Sequence, residues 1–426
     1  MKVALLGGGT VGSQVARLLA ESSEDFAARA GEPLELVGVA VRDAARERPG
    51  IPMELITDDP EALVSRGDLD VVVEVMGGID PARGLILTAI ANGASIVTAN
   101  KELIATHGDQ LAEAADAAGV DLLYEASVAG AIPLLRPLRE SLSGDKVRRV
   151  LGIVNGTTNY MLTKMDEQSA SYEDVLADAQ RLGYAEADPT ADVGGADSAA
   201  KAAILAALSF HAEVTISDVF YEGITEVTAA DIASAREMGF VIKLLAIAEL
   251  SEDERGVIVR VHPAMVPRTH PLASVRDAFN AVYVEAESAG EMMFYGRGAG
   301  GEPTASAVLG DVVVAARNKF RGGHGHRQSA YSGLRPRPVS EAKTRYMVSI
   351  NVKDRPGVLA SIATTFADNG VSIQTVRQDP TEGGAALDVR THIAAEIDLA
   401  ATVAALRELE AVTEIRGVMR VEGEVE

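Results

Sequence analysis

The sequence contains no cysteine and no tryptophan, and only 4% of it is aromatic. Without cysteine there is no disulfide, no thiolate-bound zinc and no thiol nucleophile. Basic residues are scarce as well. Against 62 Asp and Glu stand 39 Lys and Arg, a net charge of −23 over 426 residues. Nucleic acid and anionic membrane each call for a basic face, so neither is expected as a partner. No run of about eighteen apolar residues is present that would span a bilayer. Met1 leads straight into an apolar strand with no charged leader or cleavage site, so a cytoplasmic protein with no module ahead of this strand is expected. The length is too great for one core and implies two or three domains.

The first strand, from Lys2, runs into Gly7-Gly8-Gly9-Thr10-Val11-Gly12 and then an amphipathic helix carrying Val15, Leu18 and Leu19. This is G-x-G-x-x-G between a strand and a helix, where glycine permits a tight turn and a close approach of backbone to a pyrophosphate. Gly7, Gly9, Thr10, Val11 and Gly12 are the candidate contacts. The second strand, 34–41, ends in Arg42-Asp43. A carboxylate there suits the ribose 2′-hydroxyl of NAD, whereas a guanidinium suits a 2′-phosphate. Arg42 comes first, so NADP is expected, with NAD possible. Strands at 70–75, 95–98 and 121–124 continue the pattern. Lys101 follows the fourth, beyond the carboxyl ends where ligands of doubly wound sheets lie.

The densest chemistry is in the stretch Leu182-Gly183-Tyr184-Ala185-Glu186-Ala187-Asp188-Pro189, continuing through Asp192, Gly194, Gly195 and Asp197 to Lys201. Asp197 and Ser198 are N-cap candidates for a helix over 198–210. That segment is almost wholly Ala, Leu and Ile, and Lys201 is its only charge. A helix apolar all round is buried, so the ammonium needs a specific reason to be there. An ordinary i,i+4 ion pair with Asp197 is the plain alternative.

Taken together, this stretch resembles the signature of the homoserine dehydrogenases, which reduce aspartate 4-semialdehyde to homoserine with NAD(P)H. The resemblance implies that Lys201 transfers a proton and Lys101 orients the carbonyl oxygen, with the roles exchangeable. Two partly desolvated ammonium groups in one pocket are expected to lower each other's pKa. Gly183, Glu186, Asp192, Asp197, Asn155 and Thr157 match the substrate side. Glu186 and Asp197 would meet the substrate ammonium, while Asp192 tunes Lys201 or fixes the loop. Thr98 and Lys101 belong to a Thr-x-Asn-Lys motif of the family, and Gly300 and Gly301 to a turn returning to the nicotinamide. The Asn155-Gly156 pair, read without the family, would suit a hairpin. Glu125 with the carbonyls of Val128, Gly130 and Ile132 matches a monovalent-cation loop, for sodium or potassium.

Between 319 and 344 periodicity ceases, and Arg335-Pro336-Arg337-Pro338 reads as linker. His324 and His326 lack neighbouring ligand partners and are not expected to bind metal. From 345 the order strand, helix, strand, strand, helix, strand is ferredoxin-like. Asp354, Pro356, Gly357 and Val358 with Asn369 and Gly370 are similar to the ACT domain, a module that senses amino acids. Threonine is the expected effector, bound between neighbouring copies.

The expected fold class is α/β: an N-terminal Rossmann dinucleotide-binding domain (1–130), an α+β catalytic and dimerisation domain (131–318, with 298–318 returning to the cofactor), a linker (319–344) and a C-terminal ferredoxin-like ACT domain (345–426). The expected activity is that of a monofunctional homoserine dehydrogenase, as a homodimer or homotetramer. A non-catalytic nucleotide and amino-acid sensor is the alternative. The phosphorylating semialdehyde dehydrogenase is excluded because it needs a cysteine.

Overall fold

A computed structural model describes residues 1–326, 330–381 and 384–423. Six strands, β1 (Lys2–Leu6), β2 (Glu35–Ala40), β3 (Ile56–Thr57), β4 (Val71–Glu74), β5 (Ser95–Thr98) and β6 (Leu122–Leu123), form a sheet in the order β3-β2-β1-β4-β5-β6. Every pairing in it is parallel. Parallel strands covered on both faces read as continuous apolar runs, and Val71, Val72 and Val73 in β4 are all fully buried. The order reverses at β1, next to β4, which places a ligand crevice beyond the carboxyl ends of those two strands.

One face of this sheet is covered by helix Thr10–Glu21 together with helix Gly301–Phe320, which arrives from far along the chain. Val308, Leu309, Val312 and Ala316 share a core with Val3, Leu5, Val15 and Leu19. The return of the chain at 298–318 is therefore built into the dinucleotide sheet itself.

The second sheet runs Gly290–Arg297, Phe279–Ala286, Val147–Ile153, Phe240–Leu250, Gly256–Pro267, Val412–Val421, Lys343–Val352, Gly384–Thr391, Ile373–Thr381. The sequence predicts strands at 257–261 and 281–285 with helices between, but not Val147–Ile153, Phe240–Leu250 or Gly290–Arg297. Phe240–Leu250 is buried on both faces over most of its length, so it shows no alternation. The strand expected at 257–261 continues to Pro267, where helix was expected before the next strand. Helix Ala196–Phe210 packs on this sheet, with Ile204, Leu205 and Leu208 in the main core, each burial contributing about 1.5–3 kcal/mol.

The tail has the expected element order, with helices Val358–Asp368 and Glu396–Arg407 and its own apolar core around Ile350, Ile362, Phe366 and Leu387. Its last strand joins the central sheet in parallel, with Ala264 opposite Arg420 and Met265 opposite Val421. The stretch read as linker also contributes: Arg335–Arg337 pairs with the strand beginning at Gly256.

Candidate functional site

Gly7 turns the chain out of β1 with φ +108°, and a Cβ there would lie 2.9 Å from the Val75 carbonyl oxygen beyond β4. At Gly12 a Cβ would fall 2.0 Å from the Gly7 oxygen. Both positions require glycine. Above Gly9 there is open space, and helix Thr10–Glu21 begins there with no side-chain cap. The uncapped N–H groups of Thr10, Val11 and Gly12 thus face a cradle that fits a pyrophosphate. Gly301 packs against Thr10, where a Cβ would meet its Cγ2 at 3.0 Å, so the Gly300-Gly301 turn does lie beside the glycine loop. Arg42 is exposed and makes no hydrogen bond or ion pair among the described residues. Arg48, which the sequence reading passed over, lies against Gly8 and donates to the carbonyls of Asp43 and Arg46 at 2.9 and 2.7 Å.

Thr98 is fully buried. Its hydroxyl donates to Glu74 Oε2 at 2.6 Å and accepts from the Asn100 N–H at 3.0 Å, which commits it to the strand end and leaves little for a cofactor. Glu74, also fully buried, accepts from the Met76 and Gly77 amides at 2.7 and 3.2 Å and so shapes the loop that passes Gly7. The signal for it is a lone carboxylate ending a strand of valines.

Lys101 is the first residue of helix Lys101–Ala118, whose N-cap is Asn100. Asn155, rather than turning a hairpin, caps helix Gly156–Gln168 by accepting from the Thr158 amide at 2.9 Å. Its amide nitrogen donates to Asp192 Oδ1 at 2.7 Å and to Asp197 Oδ2 at 2.9 Å. Asp197 is not the cap of its helix. Gly195 holds that place in a left-handed conformation, which frees the carboxylate in the first turn. There Oδ1 lies 3.0 Å from Lys101 Nζ and Oδ2 lies 2.7 Å from Lys201 Nζ. Lys201 also donates to the Val154 carbonyl at 2.7 Å, a backbone acceptor that no sequence pattern announces.

The side chain of Lys201 is 12% exposed, that of Asp197 9% and that of Lys101 42%, so one lysine is enclosed and the other opens to solvent. Burial pushes Asp197 up, yet Lys201 and Lys101 hold it well below the ordinary carboxylate range. Asp192 is raised by burial and by Asp197, against the pull of Asn155 and the lysines. The expected mutual lowering of the lysines is not found at Lys101. Burial pushes it down, but Asp197, Asp192 and Glu102 outweigh burial and raise it. The carboxylate beside Lys101 offsets the burial and repulsion that would have lowered it.

The remaining substrate-side residues are dispersed. Thr157 donates to the Tyr184 carbonyl, tying the acidic stretch to helix Gly156–Gln168. Gly183 is exposed with φ +77°. Glu186 is exposed too, and its carboxylate makes no contact with the lysine cluster among the described residues.

The Glu125 carboxylate accepts the amides of Leu134, Leu135 and Arg136 at 2.5, 2.8 and 2.9 Å. The carbonyls of Val128, Gly130 and Ile132 accept no backbone hydrogen bond among the described residues, as suits oxygens left for a hard cation. Asp311, also missed, sits buried on the return helix, accepts the Glu125 amide at 2.8 Å and pairs with Arg136. Burial pushes it up to about 6, with Arg136 opposing and Glu125 adding.

In the tail, Gly357 opens helix Val358–Asp368 with φ +92° and no side-chain cap, following Asp354 and Pro356. Asn369 and Gly370 lie at the other end of that helix, about 16 Å away at 1.5 Å per residue. Within one chain the two segments do not meet.

The family model for homoserine dehydrogenase matches residues 133–313, the model for its NAD binding domain residues 7–125, and that for the ACT domain residues 346–411. The chain is 55% identical to the homoserine dehydrogenase of Mycobacterium tuberculosis over 430 residues, covering 99% of this chain and 97% of that protein. With the homoserine dehydrogenase of Corynebacterium glutamicum the identity is 53%, over 99% and 95% of the two chains. The crystal structure of a homoserine dehydrogenase from Thiobacillus denitrificans superposes with a TM-score of 0.91 at 37% identity, covering 99% of this chain and 98% of that one.

Proposed function

The chain belongs to the homoserine dehydrogenase family, and from that premise we propose how its residues divide the work. The glycine loop Gly7–Gly12 would hold a nicotinamide dinucleotide, which when bound would supply the hydride that turns aspartate 4-semialdehyde into homoserine. The observation that carries the assignment is Asp197 bridging Lys101 and Lys201. Two of the three N–H groups of Lys201 are taken by Val154 and Asp197, which leaves one for the aldehyde oxygen. Lys201 gives that oxygen its proton and Lys101, more exposed, orients it. A general acid for the reducing direction needs an N–H aimed at the carbonyl oxygen, and the third N–H of Lys201 is free to take that place. Asp197 already serves both lysines and Asn155, so the substrate ammonium is left to Asp192 and Glu186, not Asp197. NADPH oxidation on adding aspartate 4-semialdehyde tests the activity, and its absence would favour the non-catalytic sensor.

The finer readings have separate supports. For NADP over NAD it is Arg42, a cation beyond β2 without a partner among the described residues. For sodium or potassium it is the set of carbonyls of Val128, Gly130 and Ile132, which accept no backbone hydrogen bond among the described residues, with Glu125 fixing the turn. For a homodimer or homotetramer it is the outer strand Gly290–Arg297, which exposes Met293 and Tyr295 beside unpaired backbone groups. For threonine it is the uncapped helix at Gly357, whose N–H groups suit a carboxylate, with Asn369 and Gly370 supplied by a neighbouring copy. The domain division at 130, 318 and 344 is part of the same reading.

A further inference from the structure

A cavity of about 270 Å³ lies away from the lysine cluster, bounded by helix Lys101–Ala118, by the π-helical turn Pro137–Ser141 and by helix Ala196–Phe210. Its walls combine aliphatic side chains, Ile104, Leu138, Ile204 and Leu208 among them, with polar groups that the fold leaves unused. The Arg139 guanidinium lies 5.1 Å over the Tyr124 ring and has no carboxylate partner among the described residues. Asp109, half-buried on the facing helix, has no cation or hydrogen-bond donor among them either. Ser209 Oγ is buried without a hydrogen-bond partner among the described residues. Unpaired charges in a partly desolvated space are costly, and here one of each sign lines the same cavity without meeting. Burial, with Glu213 and Glu113 adding, pushes Asp109 up, a cost that an arriving ammonium would relieve. Burial and Arg139 push His211 down.

We propose that this cavity is a second small-molecule site for a zwitterion with an aliphatic body, of the α-amino-acid class: carboxylate toward Arg139, ammonium toward Asp109, side chain on the aliphatic wall. It is separate from the catalytic lysines and from the loops of the C-terminal domain. Asp109 follows Lys101 by eight residues and Ser209 follows Lys201 by eight, about 12 Å along each helix. The site therefore spans the same two helices as the lysine cluster, two turns further on. Between Lys101 and Asp109 the first helix departs from helical geometry at His107, with φ −132° and ψ 17°. This places a kink between the cavity and the lysine.

The test is equilibrium binding to the full-length protein with L-leucine as probe, beside 4-methylpentanoate and isopentylamine, which each keep one of its charges. L-Leucine binds at millimolar concentration or below, and each singly charged analogue binds about tenfold more weakly or worse. Arg139→Gln and Asp109→Asn each weaken L-leucine by about tenfold or more. Ala207→Leu fills the cavity without touching either charge and abolishes binding. Basal NADPH oxidation stays within about twofold in all three variants. No L-leucine binding at ~10 mM, equal binding of the analogues, or binding indifferent to all three substitutions overturns the site. Loss of binding in Asp354→Ala overturns it as well, by moving the ligand to the C-terminal domain.

Discussion

Asp197 and Glu422 are carboxylates that each stand between two cations, and they serve different ends. Asp197 lies between Lys101 and Lys201. Glu422, just past the last strand of the tail, lies between Arg149 and Arg260 of the central sheet, and both arginines also hold Glu249. In each case burial pushes the carboxylate up and the flanking cations pull it below its ordinary value, Glu422 to about 2. The difference is in the cations and their access. Lysine has a proton to give and a pKa that its surroundings can move. Arginine keeps its proton and offers a rigid fork for structure. Lys101 is open to solvent, while Arg260 is 1% exposed. The lysine cluster is left ready for a reactant, and the arginine cluster fastens the tail to the catalytic sheet.

Removing one member of the closed cluster should have the largest effect. Arg260→Ala leaves Glu422 and Glu249 short of a partner, and should cost about 3–5 kcal/mol of stability, read by denaturant unfolding. The fraction that still folds should turn over normally. A large loss of turnover in well-folded protein would break the division between the clusters.

Arg42 extends the comparison to a cation with no carboxylate partner among the described residues. Arg42→Ala should weaken NADPH by ~1–3 kcal/mol and NADH far less, measured as separate dissociation constants. Equal losses would show that Arg42 does not read the 2′-phosphate.

The smallest effect concerns His262, fully buried beside Glu422 with Nε2 3.8 Å from its Oε1. Burial, with Arg420 and Arg260 adding, holds it down at about 3. Its folded pKa lies below the unfolded value of ~6.5, so on acidification the unfolded chain takes up the proton first and stability falls. The loss should be ~1 kcal/mol between pH 6.5 and 5.5. Glu422 extends it at lower pH, since its stabilisation is complete above its unfolded pKa and fades toward pH 2. His262→Phe should flatten the upper part of the curve, and an unchanged slope would mean that the junction does not sense this proton.

Much of this was readable in the residues, and one signal accounts for both successes and omissions. A single charge in an apolar segment marked Lys201. The same signal stands at Glu74 in a strand of valines, at Asp311 in the return helix and at Lys243 in Phe240–Leu250, and there it went unused. Lys243 is buried on Asn159 Oδ1 and the Val275 carbonyl, and burial lowers it to about 8. The glycine loop was legible because its chemistry is local: a strand, three glycines and a helix start. The Glu422 cluster was not, since its members come from strands starting at 147, 240 and 256 and from the chain's far end, which only the sheet order brings together. Gly195 displacing Asp197 from the cap was also hidden. A left-handed glycine and an N-cap aspartate are both ordinary helix starts, and only the position of Lys101 shows which frees the carboxylate for the lysines.

The central claim is that Lys201 donates a proton, and does not merely balance Asp197. Lys201→Arg tests it most directly, measured as kcat for NADPH oxidation by aspartate 4-semialdehyde, with NADPH affinity and thermal unfolding alongside. Arginine keeps the positive charge and can still bond Asp197, but it has no proton to transfer. The account predicts a folded protein that binds NADPH normally and loses at least ~10²-fold in kcat, as Lys201→Ala also should. Near-normal turnover in Lys201→Arg would contradict it, because charge alone would then suffice and the proton would have to come from Lys101 or from water.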